Sequence, residues 1–112
     1  MMGAEHGKKS DTQIQRIEKL YQLSKESNLL LSEIEEFINL SEEETLPKFI
    51  AIAHLNAAKF YNSKKEMHKV REHAEKAKVM SEMSNEFKRL SHAVNDLETL
   101  LRDPEKHSSY GI

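Results

Sequence analysis

The stretch SEEETLPKFIAIAHLNAAKFYNS, residues 41–63, decides the fold. Proline pushes the residue before it out of the helical region, yet its own backbone geometry suits the first turn of a helix. The stretch Ser41-Glu42-Glu43-Glu44-Thr45-Leu46-Pro47 therefore punctuates the chain, and a helix should restart near Leu46 or Pro47. The restarted helix is predicted to run to about Ser63, with Phe49, Ile50, Ala53, Ala57, Phe60 and Tyr61 on its inward face. Alanine on such a face lets a second helix approach closely.

Working outward, Pro47 is the one strong breaker between Asp11 and Asp103. The three glycines (Gly3, Gly7, Gly111) and the other proline, Pro104, lie near the chain ends. A sheet protein of this length needs several tight turns with positive φ, usually supplied by glycine or Asn-Gly. With none in the interior, the chain is expected to be all-α, with four or five antiparallel helices joined by short loops. Residues 11–103 are expected to form a single helical domain, with 1–10 and 104–112 as tails.

On the N-terminal side, Ser10 and Gln13 have capping-box spacing, which predicts a helix starting at Asp11. Its apolar stripe is Ile14, Ile17, Leu20 and Tyr21, and a second stripe follows at Leu30, Leu31, Ile34, Phe37 and Ile38. The polar stretch Ser24 to Asn28 between them reads as a loop with Ser27 as N-cap, or as the wet middle of one long helix. On the C-terminal side the apolar positions are Met67, Val70, Ala74, Ala77, Met80, Met83, Phe87, Leu90, Val94, Leu97 and Leu101, in steps of three and four. Two structures fit them. One is a continuous helix with a heptad seam; the other is two helices joined near Ser84-Asn85, with Ser84 capping the second. Met67, Met80 and Met83 read as adaptable core packing in either case.

The segment from Leu55-Asn56-Ala57-Ala58-Lys59-Phe60-Tyr61 through His73-Ala74-Glu75-Lys76-Ala77 resembles a tetratricopeptide repeat, which pairs two antiparallel helices over about 34 residues. Ala58 and Tyr61 take the small and aromatic positions of the first helix. Val70, Ala74 and Ala77 form the small-residue line of the second, and Asn62 to Glu66 is the turn. Leu90-Ser91-His92-Ala93-Val94 looks like the start of another first helix. The turn carries Lys64-Lys65 where such a repeat usually has glycine, no proline follows the second helix, and the N-terminal half does not repeat the pattern. The resemblance implies a short helical stack that binds a partner peptide or helix in a groove lined by the first helix of each pair. The side chains it would present there are Lys59, Asn62, Lys88, His92 and Asn95.

Other chemistry is weakly signalled. A net charge of −2 creates no global field for nucleic acid or an anionic membrane. Seven basic side chains against three acidic ones over residues 59–78 could meet phosphates, but no aromatic interleaving supports base stacking, so nucleic acid is not expected. The chain has no cysteine, hence no disulfide framework or thiolate zinc site. No apolar run reaches the length of a membrane span. Met1 to Ser10 is polar and does not read as a signal peptide, so a cytoplasmic setting is expected.

Among the six histidines, His68 and Glu72 share one helix face with His73 adjacent, but no HExxH pattern accompanies them and no metal is expected. His54 invites comparison with histidine phosphotransfer proteins, although Ala57 and Ala58 stand where their Lys-Gly pair would be. That function would need His54 exposed, with a basic residue beside it. The carboxylates Glu33, Glu35, Glu36 and Glu42 to Glu44 look like an open acidic face and not a catalytic pair. No nucleophile stands in a Gly-rich turn, so no catalysis and no cofactor are expected. A non-catalytic adaptor, chaperone-like or regulatory binding module is the first expectation. The alternatives are a self-associating coiled coil over residues 65–102, giving a homodimer, and phosphotransfer through His54.

Overall fold

The computed structural model describes residues 2–26 and 29–103, with side chains from Asp11 onward. Among them are six helices and no strand: α1 (Met2–Glu26), α2 (Leu31–Glu43), α3 (Pro47–Ser63), α4 (Met67–Glu82), the single turn α5 (Asn85–Lys88) and α6 (Ser91–Arg102). The protein is all-α, as the placement of its breakers requires.

Helix α1 begins at Met2, nine residues before the expected start. Extending an existing helix costs little once it has nucleated, so the Ser10 spacing does not stop it. Gln13 reaches across to α2 instead, donating from Nε2 to Glu43 Oε1 at 3.2 Å. Ile17 and Leu20 are fully buried. Residues 27 and 28 lie outside the described region, as does the expected N-cap role of Ser27. The stripes on either side nonetheless belong to separate helices, and the N-cap position of α2 is held by Leu30. Its apolar side chain cannot cap, but its backbone N–H is satisfied by Glu33 Oε1 at 2.9 Å, which supplies half of a capping box.

The turns that flank α3 are built alike. After α2, Leu46 N–H donates to Ser41 O at 3.1 Å, and after α3, Glu66 N–H donates to Tyr61 O at 3.0 Å. Both are Schellman-type closures, which place one residue in the left-handed region. Here those residues are Thr45 (φ 51°) and Lys65 (φ 60°), neither a glycine. Pro47 then takes the first helical position of α3.

Helix α3 lacks the single inward face expected of it. Ile50 through Ala58 are buried without interruption, while Phe49 and Phe60 are only partly covered. A helix buried all round is the hub of its domain. It packs most extensively on α4, then on α2, and also touches α1, α5 and α6. The core holds Ala51, Ala53, Ala57 and Ala58 of α3 with Ala74 and Ala77 of α4. Side chains this small let the two helix backbones come close.

The C-terminal third is not one helix. Helix α4 ends at Glu82, and Ser84 caps α5 by accepting a hydrogen bond from Phe87 N–H at 3.1 Å. A second break at Arg89-Leu90 separates α5 from α6. Ser84 offers the backbone a side-chain partner that competes with continuation, and the resulting bend carries Phe87 into full burial. The unbroken helix that a coiled coil over 65–102 demands is therefore absent. Met67 and Met80 pack against the core, but Met83, expected with them, is 66% exposed at the bend. Helix α6 stops at Arg102, and the expected tail from Pro104 lies outside the described residues.

Candidate functional site: a groove and a buried histidine pair

Helices α1, α3 and α6 line a cleft of roughly 450 Å³. Tyr21, Ser24 and Lys25 come from the last turns of α1. Ile52, Leu55, Asn56 and Lys59 come from α3, and Leu90, His92, Ala93 and Asp96 from α6 and its approach. The floor is apolar and the rim is charged. Lys59 Nζ meets Asp96 Oδ2 at 2.6 Å, tying α3 to α6 across the cleft. The Lys25 ammonium lies 4.9 Å from the Tyr21 ring centre, within cation–π range. Asn56 is buried and spends Nδ2 on Ile52 O at 2.9 Å.

Of the five side chains expected in a groove, the structure brings two together here, Lys59 and His92. Asn62 sits in the last turn of α3, half-buried and outside the lining. Lys88 is exposed on α5. Asn95 is exposed on α6, where its carbonyl accepts from Thr99 Oγ1 at 2.9 Å. The whole α1 wall was missed by sequence reasoning, because the N-terminal half does not repeat the motif of residues 55–77. The available signal was Tyr21 with Lys25 one turn later, at the end of the first apolar stripe.

On another side of α3 lies a larger, open cleft of roughly 920 Å³, walled by the end of α2 and by α4. His54 of α3 lines it but is only 2% exposed. Its Nε2 is 3.1 Å from Glu42 Oε2, and its Nδ1 is 2.9 Å from Nδ1 of His73 on α4. The His73 ring lies between the rings of His54 and Tyr61, the latter nearly parallel at 9° with centroids 5.5 Å apart. Burial depresses the proton affinity of His54 below the ordinary histidine value, with Glu42 opposing that effect. Burial likewise depresses His73, and the neighbouring His54 adds to the effect.

His54 lacks the exposure that phosphotransfer would need: both ring nitrogens are engaged and the ring is covered, with Glu42 bonded to it and Lys76 in the same cleft. His73 is committed to His54, so it does not join His68 and Glu72, which remain exposed on α4.

The acidic run is also less open than expected. Glu33 satisfies Leu30 N–H, Glu42 holds His54, and Glu43 receives Gln13. Glu36 takes a two-pronged hydrogen bond from Arg16 at 2.8 and 2.9 Å, which lowers its carboxyl below the usual range. Part of the basic stripe is committed too: besides Lys59, Lys64 covers Phe60 and Lys69 covers Tyr61.

No protein-family model, no curated protein and no solved structure matches this chain.

Proposed function

We propose that the chain is a non-catalytic binding module, adaptor-like or regulatory, that holds a partner peptide or helix in the α1–α3–α6 groove. The observation that carries this reading is that alternate long helices, α1, α3 and α6, line one cleft. The order of packing supports it as well: α1 on α2, α2 on α3, α3 on α4 and α4 on α6, with α1 and α6 each also touching α3. That is the neighbour pattern of stacked helical hairpins, in line with the tetratricopeptide-like motif. The groove's apolar floor of Ile52, Leu55, Leu90 and Ala93 suits an aliphatic anchor, and Lys25 suits an acidic flank. No described helix is long and apolar enough to cross a membrane, and a cytoplasmic setting belongs to the same proposal.

The test is a screen of amphipathic peptides of differing charge, read by backbone amide shift mapping. Shifts clustered at Ile52, Leu55, Lys59 and His92, and lost in Ala93→Arg, support the groove. Binders that shift residues elsewhere and ignore Ala93→Arg refute it.

Self-association is a second reading, favoured by Val79 on α4 and Met83 at its C-cap, which stand 57% and 66% exposed about one turn apart. It predicts that mass in solution rises with concentration, and that Val79→Lys with Met83→Lys restores the monomer.

A further inference from the structure

The contact between His54 and His73 has a proton inventory that the geometry fixes. Glu42 accepts from Nε2 of His54, so the hydrogen of the neutral His54 ring sits on Nε2 and its Nδ1 keeps a lone pair. Nδ1 of His73, 2.9 Å away, must then be the donor, which leaves His73 Nε2 bare. One hydrogen between the two Nδ1 atoms satisfies the pair. A first added proton goes to Nε2 of His73 and leaves that shared hydrogen in place. A second can go only to Nδ1 of His54, and it would set N–H against N–H, and cation against cation, across 2.9 Å. The rings would have to part.

We propose that His54 and His73 form a single-hydrogen latch between α3 and α4, closed while the pair carries at most one extra proton and opened by the second. The latch lies at the middle of the most extensive helix contact in the protein. It sits beside the small residues, Ala53, Ala57, Ala74 and Ala77, whose close approach that contact requires.

The surrounding charges set where it opens. Glu42 from α2 and Glu72 from α4 favour protonation, while Lys76 and Lys69 from α4 oppose it. Tyr61 from α3 adds only a stacked ring. Burial of both rings and their mutual repulsion place the second proton below the range where an ordinary histidine titrates. The open cleft in front of Glu42 and His54 gives water a route to the pair. Acid therefore releases α4 from α3 at a defined point, with the rest of the hydrophobic contact unchanged in chemistry.

The test is an imidazole ¹⁵N titration of the full chain, run beside amide hydrogen exchange. At neutral pH the expected tautomers are Nε2–H for His54 and Nδ1–H for His73, and the two rings titrate in two separate steps. Opening takes up a proton, so through the second step the protection of the Val70 to Ala77 amides of α4 should fall about tenfold per pH unit. In His73→Asn the side-chain amide can donate from Nδ2 to neutral His54 and, turned over, accept through Oδ1 from protonated His54 without a second cation, so that loss should disappear. The opposite tautomer on either ring, independent single-step titrations, or an equal loss of protection in His73→Asn would each overturn the latch. If His73→Asn fails to fold, the tautomers and the two-step titration of the unmodified chain decide alone.

Discussion

Phe87 is the side chain on which the C-terminal architecture turns, and replacing it with alanine should be among the costliest single changes in the chain. It is fully buried and is the only buried residue of α5. That one-turn helix touches α3, α4 and α6, so the ring fills the space where three helices meet. Truncating a buried phenylalanine costs about 3–5 kcal/mol, from lost transfer energy plus the cavity left behind. The upper part of that range applies where the walls cannot collapse, and three separate helices constrain these walls. With an unfolding entropy of about 2.1 cal/mol/K per residue, a chain of 112 residues should lose roughly 13–21 °C in Tm. Phe87→Leu keeps much of the volume and should lose about a third of that. Thermal and urea unfolding followed by circular dichroism measure both. A loss under about 1 kcal/mol for Phe87→Ala would mean that the ring is not enclosed. The bend at Ser84, and the position of α6 beside α3, would then be wrong.

Three further outcomes follow from the geometry. Lys65 holds a left-handed conformation that costs a side-chain-bearing residue about 1–2 kcal/mol. Lys65→Gly should therefore stabilise the fold by about 0.5–1 kcal/mol after the entropy of glycine is set against it, visible as a higher urea midpoint. The Arg16–Glu36 pair is well formed, but its side chains are 36% and 39% exposed. Arg16→Gln should cost no more than about 0.5 kcal/mol, and 1 M salt should erase most of the difference. Finally, His54 and His73 are both depressed from 6.5 by burial, so the unfolded chain binds more protons than the native one as pH falls below that value. Their stabilisation is complete above pH 6.5 and is lost below it, by at most about 1.4 kcal/mol per pH unit for each ring. Denaturant melts from pH 7.5 down to 5 check the sign, and replacing both rings by Gln should flatten the curve.

What was legible in the sequence were the features that act locally. Pro47 starts α3 where the steric rule puts it, and Ser84 caps a helix as its spacing before Phe87 allows. The break between the first two apolar stripes was one of two readings the sequence left open, and the residue at the cap was not legible, because Leu30 holds that position through a backbone bond to Glu33. What could not be read were pairings set by tertiary packing. The Glu42–His54–His73 chain joins three helices across sequence gaps of 12 and 19 residues, and each histidine taken alone looks like a surface ligand or a lone reactive ring. The α1 wall of the groove escaped for the same reason: Tyr21 and Lys25 gain their place only once α1 packs against α3.

Uniform burial of α3 has a consequence for how the two sites relate. The residues from Ile50 to Ala58 face α2 and α4 on one side and α1, α5 and α6 on the other, so the helix has no solvent face along which it could shift unnoticed. His54 belongs to the latch. Ile52, Leu55 and Asn56, within two residues of it, belong to the groove. Close-packed interiors switch between discrete arrangements and do not deform smoothly. A displacement of α3 that separates His54 from His73 must therefore be absorbed either by α4 moving outward or by the groove changing shape. One tether bears on the choice: Lys59 is tied to Asp96 of α6, which holds the groove side of α3 in place. Helix α4, by contrast, meets solvent on most of its surface, with its buried residues confined to Val70, Ala74, Ala77 and Ser81. The yielding partner is thus α4, and a groove ligand should feel acid only weakly while Lys59 and Asp96 remain paired. Cutting that tie with Asp96→Asn should make ligand affinity more sensitive to pH, and an unchanged pH profile in that variant would show that the two sides of α3 move independently.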